Sequence, residues 1–222
     1  MTNIGWAAAN FSSPAPGISG GWGLGLGLLS MVRSTDTPAK HRQLVAWMPQ
    51  DMAADPSDAQ TKMRDITQDA LDKTLHELGW ERSDFERTRR ESKIIVANTF
   101  RLPNSDECPG FSAPITEKCI TAVYVQTPSV NKSTPEFLNQ ESRPVYFFEA
   151  DAIFNGYASI VSRGHKGVDI QRFYATLTKH MPDWSYLYIP PKSSMKAHSD
   201  GNLDYPQVYY RGKMELFATV KK

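Results

Sequence analysis

Several short stretches carry residue types at spacings that chemistry uses, and each has to be weighed against the chain around it. GISGG (17–21) satisfies G-x-S-x-G with Ser19 in the middle, the pattern of a nucleophile elbow, which puts a serine on a sharp strand-to-helix turn. Here FSSPAPG precedes it, and Pro14 and Pro16 are hostile to a central strand. Glycines follow where the helix should begin. SSMK places Ser193 three residues before Lys196, as in penicillin-binding enzymes, but without a helix start or a K-T-G strand. DGNLD sets Asp200, Asn202 and Asp204 at alternate positions like the start of a calcium loop. Tyr205 stands where that loop needs glycine and Arg211 where it needs the closing glutamate, so an Asx-rich turn is the plainer reading.

The histidines, His41, His76, His165, His180 and His198, form no H-E-x-x-H or other ligand spacing. His76 and His180 fall near helix C-termini, where positive charge is favoured. SRGHKG (162–167) is basic and glycine-flanked, and reads as a turn before it reads as an anion site. The expectation from these stretches is no catalytic residue, no metal and no cofactor.

The two cysteines, Cys108 and Cys119, bracket a Pro/Gly-containing loop between two strand candidates. A disulfide closing so short a loop would contribute roughly 2–3 kcal/mol by the chain-entropy argument. An isolated pair without C-x-x-C does not make a zinc site. The disulfide is the favoured reading, with two unrelated buried thiols as the alternative. A disulfide implies an oxidising compartment, the periplasm or the extracellular space.

The run GISGGWGLGLGLLSMV (17–32) is too short for a membrane span and holds six glycines between positions 17 and 27. Its glycines alternate without a G-x-G-x-x-G register, which excludes a dinucleotide cradle. Without Lys or Arg ahead of it, it fits a signal peptide poorly, so an exported chain would carry its targeting peptide elsewhere. Trp22, Leu24, Leu26 and Leu28 alternate with Gly23, Gly25 and Gly27, so an extended chain puts side chains on one side and bare backbone on the other. That suits an arm lying against a sheet or a partner. Attachment to a membrane surface is the second reading.

The chain as a whole has 222 residues, 40% hydrophobic and 22% charged, as ordinary globular proteins do. Lys+Arg 25 against Asp+Glu 24 leaves no basic excess, which argues against nucleic acid as the main partner. The expected organisation is a glycine-rich arm over 1–42 and one α+β domain over 43–222. Helices are predicted over 55–80, capped by Asp55 and ended by Gly79, and over 168–181, capped by Asp169 and stopped by Pro182. Residues 150–163 are ambiguous between helix and strand. Strands are predicted at 43–48, 93–101, 120–127, 144–150, 184–189, 207–210 and 213–220, with Arg211-Gly212 as a hairpin turn. The result is a largely antiparallel sheet with two main helices on one face. ERSDFERTRRESK (81–93) interleaves both charge signs and reads as a solvated face between elements, with partner docking as the alternative.

Residues 128–143 and 190–206 are long polar loops, which on a compact domain tend to carry function. The second lies among Tyr186, Tyr188, Tyr205, Tyr209 and Tyr210, which read first as ordinary core residues of strands and second as the anchors that interfaces use. Lys192, Met195, His198, Asp200 and Tyr205 are its candidate partner-binding residues.

The block DIQRFYATLTKHMPDWSYLYIPPK (169–192), followed by PQVYYRGKMELFATV, resembles the C-terminal part of proteobacterial envelope proteins encoded beside secreted antibacterial toxins. That resemblance implies a non-enzymatic immunity protein, often a lipoprotein, protecting the periplasm from effectors such as type VI secreted lipases. Its implied partner is a toxin whose active site it occludes. A tether through the N-terminus is also implied, although no lipobox cysteine is present in this sequence. The alternatives are a serine hydrolase using Ser19 or the Ser/His/Asp residues of the second half, and a structural envelope lipoprotein assembling through its arm.

Overall fold

A computed structural model of the protein describes residues 43–90, 93–101, 119–131, 143–149, 169–191 and 207–216. Strand β1 (Gln43–Pro49) leads through a 3-10 turn (Gln50–Met52) into helix α1 (Pro56–Glu77). Strands β2 (Glu81–Arg90), β3 (Lys93–Arg101), β4 (Cys119–Gln126), β5 (Ser129–Asn131) and β6 (Val145–Glu149) follow. Helix α2 (Ile170–His180) then precedes β7 (Ser185–Ile189), β8 (Gln207–Tyr210) and β9 (Lys213–Leu216). The class is α+β, as the pattern of strands and helices predicts. No helix among the described residues is long and apolar enough to cross a membrane.

Both helices start where their side chains satisfy the free N–H groups of a first turn. The Asp55 carboxylate accepts from the N–H groups of Ser57 and Asp58, each at 2.8 Å, and Pro56 occupies a position whose N–H would have had no partner. Asp58 returns the favour by accepting from Ala54 N at 2.9 Å. Asp169 caps α2 by accepting from Arg172 N at 3.0 Å. Helix α1 ends as predicted at Gly79, whose φ of +70° only glycine adopts at little cost. Trp80 then turns back, its N–H donating to Leu75 O and its ring stacking on Phe173 at 5.7 Å.

The strands divide into two antiparallel sheets, one of order β5-β6-β1-β7-β8-β9 and one of order β2-β3-β4. On the larger sheet, Leu44, Ala46 and Met48 of β1, Phe148 of β6, Leu187 and Ile189 of β7 and Tyr209 of β8 share a core with both helices. Met63, Ala70, Leu71 and Leu75 come from α1, Phe173, Tyr174 and Leu177 from α2. Polar side chains inside this core are satisfied locally: Thr67 and Thr74 donate to the carbonyls one turn back, at 2.7 and 2.6 Å. Gln60 donates to Val125 O at 2.8 Å and so ties α1 to β4, the edge of the smaller sheet.

The charged run at 81–93 is corrected by this arrangement. Its first part is strand β2, the edge of the three-stranded sheet, paired with β3 from Glu81↔Arg101 to Arg90↔Lys93 with an irregularity between Arg82 and Asp84. A search for alternating apolar residues passes over such a strand, because an edge needs no second apolar face and charge there discourages pairing with other chains. Strand β5 was also outside the predicted set, being only a three-residue pairing with β6.

Candidate interaction surface

The register of the six-stranded sheet shows where its connections emerge. Gln43, the first residue of β1, pairs with Tyr188 near the end of β7. Val45 pairs with Glu149, the last residue of β6. Ile189 pairs with Gln207, and Gln207 in turn with Leu216, the last residue of β9. One end of the sheet therefore gathers the start of β1, the ends of β6, β7 and β9, and the start of β8. Residues 1–42, 150–168, 192–206 and 217–222 all join the described chain at that end. The opposite end carries tight structure: the β1–α1 connection, the approach to β7 from α2, and the β8–β9 turn. Within 128–143, Ser129–Asn131 is strand β5, and Asn131 pairs with Val145, which pairs in turn with Pro49, at that opposite end.

Residues 190–206 stand between two residues on one rung, Ile189 and Gln207, where about two to five residues complete an ordinary hairpin. The feet of this excursion are held firmly. Pro190 is buried and Pro191 half-buried, and neither has an N–H with which to extend the ladder. On the return, Gln207 is fully buried, and its Oε1 accepts from the Tyr209 hydroxyl at 2.8 Å. Tyr188 beside the outgoing foot is buried, which pushes its phenol up to about 12. Tyr209 is also raised, by burial first and then by Tyr174 and Asp169. Both phenols are therefore neutral at neutral pH.

A concavity of about 500 Å³ lies where the helices end, lined by Asp72, Lys73, His76, Glu77 and His180. The Glu77 carboxylate accepts from Lys179 Nζ at 2.8 and 2.9 Å and faces His180 Nε2 at 2.8 Å. Lys179 and then His180 hold the Glu77 carboxyl below its ordinary range, so this group is ionised and engaged, a clasp between α1 and α2. Among the described residues, no group of three His, Cys, Asp or Glu is arranged to hold a metal ion. His180 does lie at a helix C-terminus as its sequence position suggests. Its partner Glu77, 103 residues earlier, left no signal in the sequence.

Cys119 opens β4, its backbone paired with Phe100. Cys108, Ser19, Lys192, Met195, His198, Asp200 and Tyr205 lie outside the described residues. The α2 residues Phe173 and Leu177 and the strand residues Tyr186, Tyr188 and Tyr209 are buried. Arg211 forms a two-pronged ion pair with Asp183 and lies over the Tyr210 ring at 5.5 Å from its centre. No family model, curated protein or solved structure matches the chain.

Proposed function

We propose that this is a periplasmic binding protein of the immunity type, which inhibits a cognate secreted antibacterial toxin by covering its active site. The observation that carries this reading is the pairing of Ile189 with Gln207 across the whole of residues 190–206. A chain that leaves a sheet and returns to the same rung, with a proline pair at one foot and a buried glutamine at the other, is a loop presented by a rigid base. Binding loops are built that way, because a rigid base limits the ordering cost of association. Lys192, Met195, His198, Asp200 and Tyr205 are the residues proposed to meet the toxin. The resemblance over 169–192 supports the immunity assignment, and the Cys108–Cys119 disulfide proposed with it would fit that compartment.

The test is co-purification with the product of the adjacent gene, followed by titration calorimetry. A one-to-one complex is expected, and Tyr205→Ala should weaken it by about 30-fold, the loss of one aromatic anchor. Failure to bind any adjacent-encoded protein refutes the reading, and so does turnover of an ester substrate by the purified chain. Thiol titration of the unreduced, denatured protein checks the compartment: two free thiols contradict a periplasmic disulfide.

A further inference from the structure

The two helices connect the two sheets, and they meet at their C-terminal ends. Helix α1 lies against all three strands of the smaller sheet, and α2 against β7, β8 and β9 of the larger. Glu77, the last residue of α1, bridges to Lys179 and His180 in the last turn of α2. Just before it on α1, Asp72 pairs with Arg82 at the start of β2. Just after it, Trp80 stacks on Phe173 of α2. One junction therefore ties α2, the end of α1 and the first residues of the smaller sheet. His180 is the most shielded of the three clasped side chains, 21% exposed against 39% for Glu77 and 56% for Lys179, so its contact with the carboxylate is the least screened by water.

We propose that this junction is an acid-tightened latch, in which a proton on His180 strengthens its hold on Glu77 and so secures α2 against α1 and the start of β2. A neutral imidazole presents either an N–H or a lone pair at Nε2, and only the N–H suits a carboxylate. A protonated ring donates from both nitrogens, so Nε2 must donate to Glu77, 2.8 Å away, and opposite charges are added to the hydrogen bond. The other charged or titratable groups around His180 among the described residues are Asp72, Lys73 and His76 of α1, which line the same concavity, and Lys179 on its own helix. Lys73 is paired with Asp69, Asp72 with Arg82, and Lys179 with Glu77 itself, so the repulsion they bring is largely offset. The C-terminus of α2 also favours positive charge. Glu77 stays ionised while histidines gain protons, because Lys179 and His180 hold its carboxyl below the ordinary 4.5. The latch thus tightens from mildly alkaline to mildly acidic pH and opens only in stronger acid. This inference does not depend on what the protein binds.

The experiment is a double-mutant cycle of Glu77→Gln and His180→Gln in the full chain, read from urea midpoints at about pH 8 and about pH 5.5. The part of the midpoint change that the single variants do not add up to should be about 0.2 M larger at the lower pH. A cycle of Glu77→Gln with Lys179→Gln should show no such growth, since an ammonium is charged at both pH values. In parallel, amide protection factors in 177–180 and at 81–82 should rise on acidification in the natural chain and not in His180→Gln. Coupling that is equal or smaller at the lower pH overturns the proposal. So does a rise in protection that survives in His180→Gln, which would assign the effect to His76. Should the double variant fail to fold, the protection factors decide alone.

Discussion

Replacing Gly212 with alanine should destabilise the protein about twice as much as replacing Gly79, although the two glycines have nearly the same backbone. Their φ values are +79° and +70°. Either alanine therefore accepts a left-handed conformation costing roughly 1–2 kcal/mol, partly offset by about 0.4–1 kcal/mol from the stiffer unfolded chain. The surroundings differ. A Cβ at Gly79 meets nothing within 4 Å, whereas at Gly212 it would stand 3.2 Å from Lys179 Cβ and 3.6 Å from Ala175 O. Lys179 Cβ is fixed to the α2 backbone and cannot swing aside, so the β8–β9 turn must back away from the helix. That movement stretches the bond from Gly212 N to Thr178 Oγ1, already 3.3 Å, whose loss costs about 1 kcal/mol. Net losses of about 1 kcal/mol for Gly79→Ala and about 2 kcal/mol for Gly212→Ala follow. With a urea dependence of about 2 kcal/mol/M, the unfolding midpoint falls by about 0.5 M and about 1 M respectively. In a Thr178→Ala background the extra loss at Gly212 should shrink, since the bond is already gone. Equal midpoints for the two glycine variants would refute the crowding argument and the packing of the hairpin on α2.

Glu77→Gln removes the shared acceptor of Lys179 and His180. Because these partners lower the Glu77 carboxyl from its ordinary 4.5, its stabilisation is present above that pH and lost as pH falls through the depressed value. Urea midpoints of the variant and the natural chain should differ at pH 7 and converge in strong acid. Tyr188→Phe should alter the alkaline limb instead. Burial raises the Tyr188 phenol from 10.0 to about 12, so its neutral form stabilises the fold below pH 10 and that contribution declines between about pH 10 and 12. The variant should lose stability less steeply across that window, read from urea midpoints at stepped pH.

Local chemistry was enough to read α1, α2 and most strands of the larger sheet. Asp55-Pro56 and Gly79 mark the ends of α1, and Asp169 and Pro182 mark those of α2, because caps and breakers act within one turn of the chain. Arg211-Gly212 announced its hairpin for the same reason, and both residues have positive φ. Strands β1 and β7 were legible as apolar runs because both their faces are buried. Strand β2 was not, since its edge position frees it from the apolar alternation that identifies half-buried strands.

The amino-acid sequence by itself determined the α+β class, the helix boundaries, the near-neutral charge and the polar character of 190–206. Only the tertiary structure decided that the strands split into two sheets, that Ile189 and Gln207 share a rung, and that Glu77 clasps Lys179 and His180. The physical reason is range: caps and turns are settled by neighbours a few residues apart. Strand order, buried faces and ion pairs between distant helices depend on which surfaces meet once the chain has collapsed, and local patterns leave that choice open.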